Sequence, residues 1–571
     1  MLRPVLAPLA AALLAGCTTL TAPAEAPAAA ALPTMGAVSA ADPRAQAAGE
    51  AMLAQGGNAT DAAIATMIAL TVVEPQSSGI GGGGFLLRGT AAGEIASYDG
   101  RETAPAAATP DWFYVNGRLP DFDESVRSGL SVGVPGNIAM AALAHRRHGS
   151  LPWARLFEPA IALARGGFAI NRRLYRMLEG APAHAGWSPA ARALYFDAAG
   201  KPRGVGTLVI NKALARSLEA IAARGPEEFY RGAIAREAVA TVAAATPRAP
   251  AITAEDFAAY AARPRDAVCG SYRRHRICSM GPPSSGGVAV LQILGMVERF
   301  DLAALGPQNP VTWHLFVEAQ RLAYADRELY MADPDFVQVP TAGLIEPSYI
   351  ASRSALIDPA KTLGLVAPGV PAGASVAFAD GDEAAEHGTS HLAATDGEGT
   401  MVSYTSTIEG AFGSGLMTGG FYLNNELTDF SRSPVRDGRP VANRVEGGKR
   451  PRSSMSPTLV WDPEGRPLLA IGAAGGPTIP VQTARSIIGV IDFGLSAEAA
   501  LGLPFIMAAR GGLLVEEGSW MEAAIAQFLA LGHAKVTAMP PTLKAGAVLR
   551  GPQGWTSVRD PRLERDLADM P

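Results

Sequence analysis

The spacing of apolar and polar positions changes period several times along the chain. From Pro43, "PRAQAAGEAMLAQ" repeats at helical spacing and stops at Gly56-Gly57-Asn58. The next run, "ATDAAIATMIALTVV", is apolar on most faces, which predicts a buried helix. "FLLRG" then reads as a strand, and residues 136–265 read as mainly helical with Gly and Pro punctuation. Strand signals return over 269–280, followed by "GPPSSGG", and "VTWHLFVEAQRLAYADRELY" predicts an amphipathic helix. Residues 350–388 are irregular and polar towards their end, the texture of an exposed connecting segment. After Thr389, "TSHLAATDGEGTMVSYTSTI" predicts two strands around Asp396-Gly397. Strand-like runs follow at 421–424, 456–461 and 468–473, with helices near 480–492 and 520–531. Strands flanked by helices predict a layered α/β or α+β fold.

Composition narrows the class. The 571 residues, a length that by itself suggests several domains, are 48% hydrophobic and 18% charged, which fits a globular protein. The formal net charge of −5 gives no reason to expect nucleic acid or an anionic membrane surface as a partner. The 63 glycines and 44 prolines leave the chain below the roughly 25–30% that marks low-complexity sequences, so they belong to turns and close backbone contacts.

The N-terminus changes the picture more. "MLRPVLAPLAAALLAGC" has a cation at Arg3, an apolar run of signal-sequence length and small residues before Cys17. "LAGC" resembles the bacterial lipobox, in which the cysteine is lipidated and begins the mature chain. The alternative is an ordinary secretory signal cut near "TAPAEA"; both imply export. Residues 18–33 then read as a Pro/Ala tether. Cys269 and Cys278 would face each other if Arg273-Arg274 forms a two-residue turn, giving a disulfide or else two buried thiols. Arg-Arg is not a favoured pair for that turn.

Two stretches suggest chemistry. Gly79-x-Gly81-x-x-Gly84 matches a dinucleotide fingerprint in letters only. The fingerprint needs a strand before and a helix after, and here the order is reversed. "AEHGTSHLAATDG" puts His387 and His391 either side of Thr389. Histidines two apart on one strand point in parallel and lack an orienting acid, so a triad is a poor fit, and no zinc-ligand spacing is present. A threonine hydroxyl can instead be activated by its own α-amine if the chain is cut after Gly388. An α-amine has a pKa of roughly 7.7–8, suited to a general base near neutrality.

The motifs around Thr389 resemble the γ-glutamyltranspeptidase family, of the N-terminal-nucleophile class. The likeness runs through "GGNATDAAIA", "VVEPQSSGIGGGGFLL", "YDGRETAP", "GLSVGVPG", "PPSSGG", "GTSHLAATDGEG", "VSYTSTIEGAFGSG", "FYLNNELTDFS", "KRPRSSMSPTLV" and "GAAGGP", in order. It implies a four-layer αββα sandwich built from a large fragment, 34–388, and a small fragment, 389–571, held together as a heterodimer. It implies cleavage between Gly388 and Thr389, with Thr389 as the nucleophile and Thr407 orienting it. Gly475 and Gly476 would form the oxyanion hole. Arg101, Ser453 and Ser454 would bind a substrate carboxylate, and Glu409, Glu426 and Asp429 an ammonium. The implied reaction passes a γ-glutamyl group from a small donor such as glutathione to water or to an amino acid or peptide, without metal or organic cofactor. Same-fold alternatives are a glutaryl-β-lactam acylase and a poly-γ-glutamate depolymerase; a non-catalytic, lipid-anchored binding protein is remoter. The expected location is the periplasm, with a lipid anchor at Cys17 in a bacterial membrane. Departures bear on substrate: after Phe430 the segment to Lys449 has no aromatic to close over the site; Arg452, where relatives are often apolar, adds a cation beside the carboxylate pocket or points outward; and Pro477 and "LPFIMAARG" also deviate.

Overall fold

The computed structural model describes residues 1, 36–375, 378–379, 388–509, 512–540 and 543–567. Apart from Met1, the expected signal segment and tether, Cys17 among them, lie outside the described residues, as does His387. The strands that carry the architecture are β1 (Val38–Ala40), β2 (Gly83–Gly89), β3 (Ile95–Gly100), β4 (Arg263–Arg265), β5 (Val268–Tyr272), β6 (His275–Ser279), β7 (Ser390–Thr395), β8 (Met401–Thr407), β9 (Thr458–Trp461), β10 (Pro467–Ala474), β11 (Lys544–Gly551) and β12 (Gly554–Arg559). They form two six-stranded sheets, ordered β1-β7-β8-β2-β3-β4 and β12-β11-β10-β9-β6-β5. Every pairing within them is antiparallel.

Helices cover the outer faces. On the first sheet lie α1 (Pro43–Ala54), α2 (Ala59–Val73) and α3 (Asn137–His148), with α2 against β7 and β8 and α3 against β2 and β3. On the second lie α4 (Gly286–Val297), α5 (Pro310–Tyr330) and α6 (Ile479–Ile491), with α4 against β5 and β6, α6 against β10, and α5 packed on α4. The inner faces meet through Leu87, Ala393 and Met401 of the first sheet and Cys278, Leu459, Trp461, Ala470 and Val548 of the second. Helix, sheet, sheet and helix thus stack in four layers, and the antiparallel strands make the fold α+β. Among the described residues no helix is long and apolar enough to cross a membrane.

Local sequence explains the central elements. All of α2 is buried because it is enclosed by α1, the sheet and further helices, which is why its apolar residues run around the whole cylinder. It starts at a capping box, Asn58 with Asp61. The β7–β8 turn is longer than the two residues expected: Thr395 pairs with Met401, and Asp396 Oδ1 accepts the N–H groups of Glu398 and Thr400. The other Asp396 oxygen accepts from Ala59 N at 3.1 Å, so the turn also ties down the start of α2.

Cys269 and Cys278 lie directly opposite across β5 and β6 and form a disulfide. Arg273 and Arg274 do make the turn, at φ 48° and 68°. The left-handed strain is offset by tertiary contacts, since Arg273 donates to Glu298 and Phe300 carbonyls and to Asp492. The predicted 520–531 helix is two short ones, Trp520–Ala523 and Ile525–Ala530, and the irregular region opens with a helix, Pro347–Ser354. Strands β1, β3, β11 and β12 carried too weak a pattern to be predicted; small residues follow the opening lysine of β11, and β1 has only three residues.

Candidate functional site

Register gathers the site at one end of the first sheet. Ser390 pairs with Ser406, Thr407 with Gly83, and Gly84 with Gly100. Thr389, Thr407, the glycine run and Arg101 therefore end neighbouring strands on the same side. The glycine run is what lets them approach. A Cβ on Gly82 would lie 1.9 Å from the Thr407 carbonyl oxygen, and one on Gly81 2.0 Å from that of Tyr422. α2 precedes it and β2 follows, so no helix N-terminus waits for a phosphate.

Thr389 is 2% exposed. Its Oγ contacts the Gly388 carbonyl oxygen and lies 3.1 Å from Thr407 Oγ. Thr407 Oγ donates to that same carbonyl at 2.7 Å and accepts from Glu409 N at 2.8 Å. The Gly388 carbonyl oxygen thus sits between the Thr389 and Thr407 hydroxyls. Gly388 is needed for space rather than for an unusual backbone angle: a Cβ would lie 2.6 Å from the carbonyl oxygens of both Glu409 and Gly410. Glu409 itself is held in the left-handed region, at φ 71°, the kind of local strain that collects at functional sites.

The charged end lies two strands away. Arg101 is 1% exposed; its guanidinium pairs with Glu426 and Asp429 and donates to the carbonyls of Pro451 and Arg452. Glu409 accepts from Asn425 Nδ2. Burial pushes the Glu409 and Glu426 carboxyls well up, despite Arg101, because each also faces other acids. Glu102, beside them, is pushed by burial to about 7. Glu426 and Asp429 share one turn of 3-10 helix that Asn424 anchors, through its amide to the carbonyls of Gly81 and Gly133.

Ser453 and Ser454 sit against the 282–287 loop. Ser285 donates through N and Oγ to the Ser453 carbonyl, and Arg327 Nη2 donates to Ser454 Oγ at 2.6 Å. Arg452 does not point outward. It is buried, and its guanidinium pairs with Glu328 at 2.7 Å while its carbonyl serves Arg101. Gly475 and Gly476 follow β10 at φ 121° and 56°, and Ala474 before them pairs with Lys544, whose Nζ donates to the Thr389 carbonyl. Register thus brings the glycine turn to the Thr389 end of the sandwich.

After Phe430, which is buried, the chain makes a small hairpin, Val435–Arg436 with Arg439–Pro440, without an aromatic. A cavity of about 490 Å³ opens beside Glu409 and Gly410, lined also by Phe122, Arg127, His184 and Asn425. His391 is buried in β7 with Nδ1 2.9 Å from Thr405 Oγ1, and burial holds it down to about 3, so it is a neutral structural ring. A second polar cluster, His314, Glu318 and His533, lies apart from the site. His314 Nδ1 meets His533 Nε2 at 2.9 Å and His314 Nε2 meets the Asp358 carbonyl at 2.8 Å. Glu318 accepts from Leu363 N, Thr362 Oγ1 and Arg321. The cluster reads as a hydrogen-bonded clamp between α5, the 358–363 loop and the 533 turn.

Thr389 and Thr407 are in contact, as are Arg101, Glu426 and Asp429, with Glu409 joined to them through Asn425; Ser453 and Ser454 follow the Arg452 carbonyl that Arg101 contacts, and Gly475 and Gly476 lie beyond Ala474, the partner of Lys544. Sequence reasoning missed Glu102, Asn424, Asn425, Arg327 and Lys544. The first three stand inside motifs already singled out, "DGRETAP" and "FYLNNELTDFS", where a buried polar neighbour was the available signal. Lys544 is a lone cation opening an apolar alternation, "LKAGAVL".

The gamma-glutamyltranspeptidase family model matches residues 45–570. The glutathione hydrolase proenzyme of Escherichia coli is 37% identical over 486 residues, 82% of this chain and 80% of that protein. An acylase ACY 1 proenzyme of Pseudomonas sp. is 35% identical over 510 residues, 87% of this chain and 86% of that protein. The crystal structure of a cephalosporin acylase from Bacillus halodurans superposes with a TM-score of 0.81 at 27% identity, covering 95% of this chain and 98% of that one. Match, fold and site geometry agree, and the chain belongs to the gamma-glutamyltranspeptidase family.

Proposed function

We propose that the protein is an exported, self-cleaving γ-glutamyl transferase/hydrolase whose nucleophile is the freed N-terminal Thr389. One observation carries the reading: the Gly388 carbonyl lies between the Thr389 and Thr407 hydroxyls, at the sheet end that also presents Arg101 paired to Glu426 and Asp429. In the precursor, Thr389 Oγ attacks the Gly388 carbonyl carbon. The C–N bond breaks, the hydroxyl proton ends on the released amine, and water opens the ester to a Gly388 carboxylate and a free hydroxyl. In turnover the α-amine takes the Oγ proton as Oγ attacks the γ-carbonyl, then passes it to the leaving amine. Backbone N–H groups of the Gly475-Gly476 turn stabilise the oxyanion. Water or an acceptor amine then releases glutamate or a new γ-glutamyl amide.

The charges support a glutamyl donor. A substrate's α-carboxylate and α-ammonium replace the internal ion pair with one of matching sense: carboxylate to Arg101 and the Ser453 and Ser454 hydroxyls, ammonium to Glu409, Glu426 and Asp429. An acylase of glutaryl amides is the second reading, favoured by the acylase relatives. A glutaryl group has no ammonium, and leaves the acids unmatched. Export and a lipid anchor at Cys17 follow from residues 1–17; metabolic labelling with a palmitate analogue, lost in Cys17→Ala, tests the anchor.

A denaturing gel of the purified protein, with N-terminal sequencing of the small fragment, tests the mechanism. The expected sequence is Thr389-Ser390-His391; a folded protein that stays in one piece defeats it. Rates on a γ-glutamyl anilide with and without glycylglycine, beside the matching glutaryl anilide, separate hydrolase, transferase and acylase.

A further inference from the structure

We infer that Lys544 is a positioning residue for Thr389: its ammonium fixes the Thr389 carbonyl and biases the freed α-amine towards its neutral, proton-accepting form. The inference rests on the reading of Thr389 as an N-terminal nucleophile and adds to it a group outside every motif that carried the family resemblance.

A lysine head inside a protein is costly unless fully paired. Lys544 is 4% exposed, and its Nζ has three acceptors for its three protons. It donates to the Thr389 carbonyl at 2.8 Å, to Ser390 Oγ at 2.9 Å and to the Glu74 carboxylate. Ser390 Oγ in turn donates to Glu74 at 3.0 Å, closing a ring around the first residues of β7. Burial pushes Glu74 up, but Arg173 and Lys544 outweigh it and hold the carboxyl at about 2, so Glu74 is ionised across the working range. Burial and Arg173 push Lys544 down from the usual lysine range, the ionised Glu74 pushes it back up, and the three acceptors around Nζ hold its proton.

The backbone of the same residue reaches the other half of the reaction centre. Lys544 N donates to Gln482 Oε1 at 3.3 Å; Gln482 Nε2 donates to the Ala474 carbonyl at 2.9 Å and to Thr478 Oγ1 at 2.8 Å. Thr478 Oγ1 donates to the Gly475 carbonyl at 2.8 Å. One residue therefore ties the carbonyl of the nucleophile to the turn that faces the developing oxyanion. Misplacement by ~1 Å between such groups costs on the order of 100-fold in rate.

Arg173 approaches Glu74 to 3.6 Å, Asp42 is paired with Arg44 at 2.6 Å, and His391 is neutral. Glu74 is spent on Lys544 and Arg173. Lys544 is the cation in contact with Thr389 itself, and a cation there disfavours protonation of the neighbouring α-amine.

The test compares wild type, Lys544→Met and Lys544→Arg, each cut and purified. Should Lys544→Met not cut itself, the small fragment is produced from a Met-Thr389 start, with the initiator removed, together with the large fragment. Should it not fold, Lys544→Gln in that two-fragment form takes its place. Loss of the ammonium is expected to lower kcat ~10- to 100-fold with KM changed less than about threefold, and to move the acidic limb of kcat/KM up by roughly half to one pH unit. Lys544→Arg, which keeps the charge, should restore the limb. A cut Lys544→Met enzyme with wild-type kcat and limb overturns the inference. So does a loss confined to KM, or a fall in kcat with an unmoved limb, which marks packing alone. An uncut wild type overturns the nucleophile reading instead, so the two failures are told apart.

Discussion

The two ends of the site are built on opposite principles. At the Thr389 end the groups in contact with the Gly388–Thr389 bond, the proposed site of the cut, are hydroxyls and backbone carbonyls, set by strand register: Thr389 before β7, Thr407 closing β8, Gly388 wedged against Glu409 and Gly410. At the anchoring end the groups are a guanidinium and carboxyls set by turns and a short 3-10 helix: Arg101 with Glu426 and Asp429, and Glu102 and Glu409 beside them, where burial raises the carboxyls of Glu102, Glu409 and Glu426. The first needs fixed distances, which a buried sheet supplies. The second needs strong, oriented charge that can exchange partners, which loops with several acids supply. Chemistry and recognition should therefore fail separately.

Thr389→Ala attacks the first end and should show the largest effect: no cleavage and a loss of ~10⁴-fold or more in anilide turnover, read on a gel and by initial rates. A cut and active variant would end the comparison. Arg101→Gln attacks the second. It strips two buried carboxylates of their partner, so kcat/KM should fall on the order of 100-fold or more, mostly through KM, while the protein still cuts itself. If cleavage also stops, the two ends are not independent. Gly388→Ala sharpens the distinction from the other side: the added methyl meets two carbonyls at 2.6 Å, so cleavage should slow by about tenfold or more, measured as fragment accumulation over time. Enzyme that does become cut should then turn over normally, because residue 388 has left the site.

A smaller effect separates the ends by pH. Glu102, raised to about 7, gains a proton as pH falls through that value, and the anchoring end loses a negative charge. KM for a γ-glutamyl donor should therefore rise several-fold between about pH 8 and pH 6, while KM for a glutaryl amide, which carries no ammonium, should not. Equal pH profiles for the two donors would detach Glu102 from ammonium binding. The smallest effect belongs to the second sheet's edge. Cys269→Ser with Cys278→Ser opens a bridge of sequence separation 9, which should cost up to about 2–3 kcal/mol in thermal or denaturant unfolding and leave kcat unchanged.

How much of this was legible in the sequence follows the same division. The helices α1, α2 and α5 and the β7–β8 hairpin announce themselves by period, and Thr389 with its ordered motifs announces the chemistry. What stayed hidden depends on partners distant in sequence. Nothing in "LKAGAVL" says that Lys544 lies over residue 389, because β11 reaches β7 only through sheet-on-sheet packing. Arg452 looked like a spare cation because its partner, Glu328, is 124 residues away. Arg273-Arg274 looked wrong for a tight turn because the compensating bonds come from Glu298 and Asp492. Cross-chain pairing decides these cases, and a local pattern cannot see it.

The strand order has a further consequence. In the first sheet the β7–β8 hairpin lies between β1 and β2, and in the second β9 lies beside β6, so the segments before and after Gly388 share three seams. Cutting the bond leaves those seams closed, and the two pieces should melt together as one cooperative body. Refolding is another matter. The intact precursor finds its partner strands along its own chain, whereas the severed pieces must meet by diffusion, at a rate that depends on their concentration and competes with aggregation. Under the proposed cut, folding becomes hard to reverse: the protein would assemble once as a single chain, and the lifetime of the cut form would be set by how slowly those seams open.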